Sequence, residues 1–110
     1  MALMGFRGTP LSVSAPDASG GGYGFSPCGV VTAETTATAT GGVPGYTYSW
    51  AHISGDTPSI NDANAASPIW TGTACDGYPS VSTWQVTATD SVGSTATATI
   101  TVTLIWVSNS

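Results

Sequence analysis

Cys28, Cys75 and His52 are the chain's only thiols and its only imidazole, and Asp56, Asp62 and Asp76 carry most of the loop carboxylates. Nucleophilic catalysis needs a nucleophile beside a base, and a third group to orient that base. Ser54, Asp56 and Asp62 lie near His52 in sequence, but no nucleophile-elbow motif frames a serine. His52 is therefore expected to be an ordinary strand-end residue, and the chain not to be an enzyme. Zinc asks for four ligands, or three with an open position; Cys28, His52 and Cys75 have no such spacing. Calcium loops alternate aspartates, and Asp56, Asp62 and Asp76 do not, so turn capping is the expectation for them. "SGGGYG" has no lysine and opens no helix, which removes a phosphate loop. No catalytic residue, no metal ligand and no cofactor is expected.

Binding is the chemistry that remains. Tyr23, Phe25, Trp70, Tyr78 and Trp106 stand outside the regular pattern, and Tyr23, Trp70 and Tyr78 are the candidates for stacking on a glycan. The competing expectation is that such rings plug the ends of a core. The two ends of the chain are also apolar beyond need. Met1, Leu3, Met4 and Phe6 precede the first strand, and Ile105, Trp106 and Val107 follow Leu104. Leu104 and Ile105 must point to opposite faces of a strand, so both cannot enter one core. These seven residues are candidate contacts with another chain. The alternative is that the N-terminal arm folds back over the last strand and hides both.

Charge narrows the partners. Only 6% of the 110 residues are charged, there is one arginine and no lysine, and the net charge is −5. Phosphate backbones need several cationic contacts, so nucleic acid is excluded as a partner. Anionic membrane surfaces are disfavoured for the same reason. No run approaches the roughly 18 apolar residues of a membrane span. "MALMGFRG" lacks a cationic start leading into a long apolar run, so the expectation is a chain without an export leader.

The elements that must position these groups are strands. With 41% apolar residues the chain can build a core, and its polar remainder is mostly threonine, serine and glycine. "PLSVSAP" puts Leu11, Val13 and Ala15 on one face of a short strand. "DASGGGYGFSPCG" is expected to be a loop. "VVTAETTATAT" alternates as one strand, with Val31, Ala33, Ala37 and Ala39 inward. "GGVPGYTYSW" sets turn residues before a strand carrying Tyr46, Tyr48 and Trp50 on one side. Short strands are expected near 58–60 and 67–71. "VSTWQVTATD" points Trp84, Val86 and Ala88 inward, and Asp90 is placed to fold back onto the amides of the turn "SVGS". "TATATITVTL" sets Ala96, Ala98, Ile100, Val102 and Leu104 against threonines. Around seven short strands with turns between them indicate an all-β, immunoglobulin-like sandwich of antiparallel strands. Its expected organisation is an arm over 1–9, the sandwich over 10–107 and a tail over 108–110.

"GGVPGYTYSW" followed by "WQVTATDSVGSTATATITVTL" resembles immunoglobulin-like domains of the PKD type. That pattern is a glycine-rich turn, an aromatic strand ending in Trp, and a Tyr-x-Val-x-Val-x-Asp-x-x-Gly hairpin. Trp84, Val86, Ala88, Asp90 and Gly93 take its places, over roughly residues 30–104. The resemblance implies a scaffold of the sort found in bacterial surface proteins, secreted hydrolases and phage virions. In that topology Cys28 begins the second strand and Cys75 precedes the sixth, so both lie at one end and a bridge between them is expected. It would close a loop of 47 residues and stabilise by about 4 kcal/mol on the chain-entropy model. The alternative is two unrelated buried thiols.

A bridge sits awkwardly with a missing leader, and a particle protein oxidised after host lysis reconciles the two. The first expectation is thus a structural virion protein on the virion surface, a phage capsid decoration protein or a tail-associated one. Its partners would be the major capsid protein, another virion protein or further copies of itself, with weak contact to host-surface glycans. The alternative is a carbohydrate-binding module of a secreted hydrolase or extracellular surface protein.

Overall fold

Alternation of apolar and hydroxylated residues governs the strands in the computed structural model, which describes residues 9–109. In chain order they are β1 (Ser12–Ser14), β2 (Ala18–Gly24), β3 (Cys28–Glu34), β4 (Thr38–Thr40), β5 (Thr47–Gly55), β6 (Ser59–Ile60), β7 (Ile69–Cys75), β8 (Ser80–Thr89) and β9 (Thr95–Ser108). The described residues contain no helix. One sheet has the order β2-β9-β8-β5, a second β3-β7-β6, and β1 pairs with β4 beside them. All pairings are antiparallel except β2 with β9, which run parallel. The immunoglobulin-like sandwich expected from the sequence is the architecture found.

Its core lies between the sheets, and its thickness is set by three indoles. Trp50 from β5, Trp70 from β7 and Trp84 from β8 are all buried. Trp70 meets Trp50 edge-on at 5.2 Å between ring centroids and Trp84 at 5.6 Å. Small residues face them across the layer: Ala18, Ala33, Ala37, Ala39, Ala74 and Ala88 are buried. Large rings against alanines fill a thin core without strain. Ile100, Val102 and Leu104 of β9 complete it. Tyr46 and Tyr48 are half-buried at its margin, and the Tyr46 hydroxyl donates to the Gly41 carbonyl at 2.6 Å.

Asp90 ties the turn between β8 and β9 to the loop before β5. Oδ1 accepts from the amides of Val92 and Ser94, and Oδ2 accepts from that of Val43. The Val43 amide is the largest influence holding this carboxyl below its ordinary pKa, and burial pulls the other way.

Two expectations are corrected. The glycine-rich stretch taken for a loop forms β2, seven residues in parallel register with Ala18 to Val102 and Gly24 to Ser108. Its glycines are a packing requirement. A Cβ on Gly20 would run into the Thr32 carbonyl of β3, and one on Gly24 would meet the Trp106 ring at 2.9 Å. Glycine is disfavoured in a strand on entropy alone, which is why the stretch reads as a loop. The single strand expected over 30–40 is two, β3 and β4. Between them the Thr35 hydroxyl donates to the Pro16 carbonyl and the Ala37 amide donates to that of Ala66. These bonds shift the chain from the β7 edge to β1 while Ala37 and Ala39 stay inward. At the C-terminus β9 continues to Ser108, one residue into the expected tail.

Candidate functional site

Cys28 opens β3 and Cys75 closes β7, directly opposite each other in the antiparallel register. They form a disulfide with Cα atoms 3.9 Å apart. The expected bridge is present, but it joins neighbouring antiparallel strands of one sheet rather than the starts of two parallel strands. Beyond it the chain turns at once. The amide of Tyr78 donates to the Cys75 carbonyl at 2.8 Å, and Gly77 at φ 80° closes the turn.

That turn presents Tyr78 to solvent, 78% exposed, at the rim of a groove of about 580 Å³. Asp56, Pro58, Ser59, Thr71 and Thr73 form its walls with Tyr78. The groove exists because β6 is short: it pairs with β7 only at Thr71 and Trp70, and an isolated bridge then joins Cys75 to Tyr78. Between these pairings the β7 edge at Thr73 is bare. Asp56 is already engaged, Oδ2 accepting from the Val81 amide at 3.0 Å.

The remaining glycan candidates part company. Tyr23 stands 74% exposed on the outer face of β2, on a different sheet from the groove. Trp70 is a correction: it is 0% exposed, packed between Trp50 and Trp84, and has no face to offer a sugar. The inward phase of β7 places it there, and its flanking prolines and glycines hid that phase in the sequence.

Trp106, a candidate partner contact, is half-buried against its own fold. Its indole lies across Gly22, Gly24 and Gly29, and Nε1 donates to the Ser26 carbonyl at 2.8 Å. Ile105 and Val107 point the other way, 47% and 51% exposed. In the parallel register Val107 sits beside Tyr23, and Ile105 beside Gly21. Met1, Leu3, Met4 and Phe6 lie outside the described residues.

The outer face of the larger sheet is hydroxylated. Thr47, Thr89 and Thr95 align across β5, β8 and β9, then Ser49, Thr87 and Thr97, then Ser54, Thr83 and Thr101. Ala51, Gln85 and Thr99 lie between the last two rows, and the Asp17 carboxylate accepts from the Thr101 amide at 2.9 Å.

His52 packs edge-on against Trp84 at 5.3 Å, and its Nε2 lies 2.8 Å from the Asp56 carbonyl oxygen. Its ring braces the bulge between His52 and Ser54. Asp62 caps a turn, accepting from the Asn64 amide at 2.9 Å. Among the described residues no three His, Cys, Asp or Glu side chains gather as metal ligands.

With this geometry the chain has the fold of a PKD-type immunoglobulin-like domain. It is similar to the PKD domain (329–428) of human KIAA0319, solved in solution, with a TM-score of 0.56 and 19% identity over 100% of this chain and 95% of that one. No family model matches the chain, and no curated protein does.

Proposed function

We propose that the chain is a non-catalytic, extracellular immunoglobulin-like module and, more specifically, a structural protein of the virion surface. The observation that carries this reading is the Cys28–Cys75 disulfide closing a sandwich whose larger sheet carries rows of threonine and serine on its outer face. Disulfides persist in oxidising surroundings. A surface of short hydroxyl side chains holds no residue of the kind that would grip nucleic acid or an anionic bilayer. The apolar pair Ile105 and Val107 supplies an attachment point to a shell protein, with the rows facing outward.

Proteomics of purified, nuclease-treated particles from a producing culture tests this. The chain should appear at a fixed copy number per particle, with the Cys28–Cys75 peptides linked. Recovery from the particle-free medium alone would contradict the virion role. That outcome would favour the second reading, a secreted carbohydrate-binding module, which rests on the exposed Tyr78 ring over the Thr71–Thr73 groove.

A further inference from the structure

We infer that the groove beside Tyr78 binds the terminal residue of a neutral glycan, one pyranose ring held by the bare Thr73 backbone and the tyrosine face. The inference deepens the carbohydrate-binding reading of this groove and rests on it, wherever the chain resides.

The backbone of β7 carries the first half of the argument. On the β6 side the Ile69 carbonyl accepts from the Asn61 amide, and the Ile69 amide donates to Asn61 Oδ1. Cys75 spends its amide and its carbonyl on Tyr78. Alternate residues of a strand direct these groups to the same edge, so Thr71 and Thr73 face that side too. Thr71 lies opposite Ser59, whereas Thr73 has no strand partner there. Two prolines make the gap, since Pro58 and Pro79 have no amide to offer a ladder. Pro58 is buried, drawn in so far that a Cβ on Gly72 would meet the proline Cβ at 3.1 Å. Asp56 ties the far wall to β8: its amide donates to the Val81 carbonyl at 2.9 Å, and Oδ2 accepts from the Val81 amide at 3.0 Å. The slot is thus a product of the fold.

Shape and chemistry name the occupant. Ser59 and Tyr78 cover the edge on either side of Thr73, so an extended peptide has no room to run along it. From Thr71 to Cys75 is about 13 Å, at roughly 3.3 Å per residue. That opening admits a sugar ring end-on and not an internal stretch of chain. Adjacent ring hydroxyls can replace a facing strand residue, one accepting from the Thr73 amide and its neighbour donating to the Thr73 carbonyl. Tyr78, exposed at the rim, offers an aromatic face to the C–H side of the ring. No lysine, arginine or histidine lines the groove, and Asp56 does, so uronic and sialic acids are disfavoured.

Amide chemical-shift titration of the full-length, oxidised protein tests this. The neutral probes are methyl β-D-glucopyranoside, methyl β-D-galactopyranoside and methyl α-D-mannopyranoside, and glucuronic acid is the charged one. At least one neutral probe should shift the Thr73 and Tyr78 amides saturably, and glucuronic acid should not. Tyr78→Ala should weaken that binding about tenfold, while Tyr78→Phe and Tyr23→Ala should leave it unchanged. Retained amide dispersion confirms that each variant is folded. Undiminished binding by Tyr78→Ala, or an equal response to glucuronic acid, would overturn the inference. So would saturable shifts around Tyr23 instead of Thr73, or none with any probe. In the first of these two cases the broader carbohydrate-binding reading stands, and in the second it falls as well.

Discussion

The indole of Trp50 meets that of Trp70 edge-on, ring centroids 5.2 Å apart and planes at 88°, yet the two nitrogens have different fates. Trp50 Nε1 donates to the Ala65 carbonyl at 2.9 Å, whereas Trp70 Nε1 is buried without a partner. A buried unpaired donor costs about 1–3 kcal/mol. Trp70→Phe removes that donor as well as ring area, while Trp50→Phe strands the Ala65 acceptor. Urea unfolding should therefore show Trp70→Phe to be the milder change, by about 1 kcal/mol. Trp50→Ala should cost about 3–5 kcal/mol as a core cavity.

Asp90 sets an acid limit on stability. Its folded pKa is depressed, chiefly by the Val43 amide. Above the ordinary aspartate value of about 3.9 both states are ionised and the stabilisation is complete. As pH falls further the unfolded chain takes the proton first, so this stabilisation drains away until the folded pKa is passed. Asp90→Asn should lower the Tm at neutral pH and flatten the part of its decline that begins near pH 4. An unchanged acid profile in the variant would remove Asp90 from the account.

Reducing the Cys28–Cys75 bridge should lower the urea midpoint. The sequence separation of 47 corresponds to about 4 kcal/mol on the chain-entropy model. Cys28→Ala with Cys75→Ala should show the same shift without reductant, and reductant should then have no effect on it.

Trp106 and Gly29 are complementary. A Cβ on Gly29 would overlap the Trp106 ring, so Gly29→Ala should displace the indole and cost about 1–3 kcal/mol. In the Trp106→Ala background the same Gly29→Ala change should cost much less, because the obstructed ring is gone. Equal costs in the two backgrounds would show that the ring does not rest on Gly29.

Where the code is period two, the sequence was legible. Trp84, Val86 and Ala88 on β8 and Ile100, Val102 and Leu104 on β9 point inward as their alternation dictates. Asp90 was legible because turn chemistry is local. The misread parts depend on contacts distant in sequence. Gly20 to Gly24 form a strand because β9 and Trp106 lie beside them, and nothing within the stretch itself signals that. The break between β3 and β4 is made by Thr35 with Pro16 and by Ala37 with Ala66, pairings invisible to a local pattern. Trp70 stood as a candidate glycan contact because prolines and glycines around β7 conceal its phase. Of the candidate surfaces, Ile105 and Val107 followed from the simple fact that neighbours on a strand face opposite ways. The groove at Tyr78 did not, since it depends on where β6 stops.

The virion-surface role is tested most directly by co-sedimentation of the purified, oxidised chain with particles from which it has been stripped. Saturable binding at a fixed ratio per particle, lost when Ile105 and Val107 are replaced by serine, is the predicted result. A folded chain that stays in the supernatant at every ratio would contradict the role.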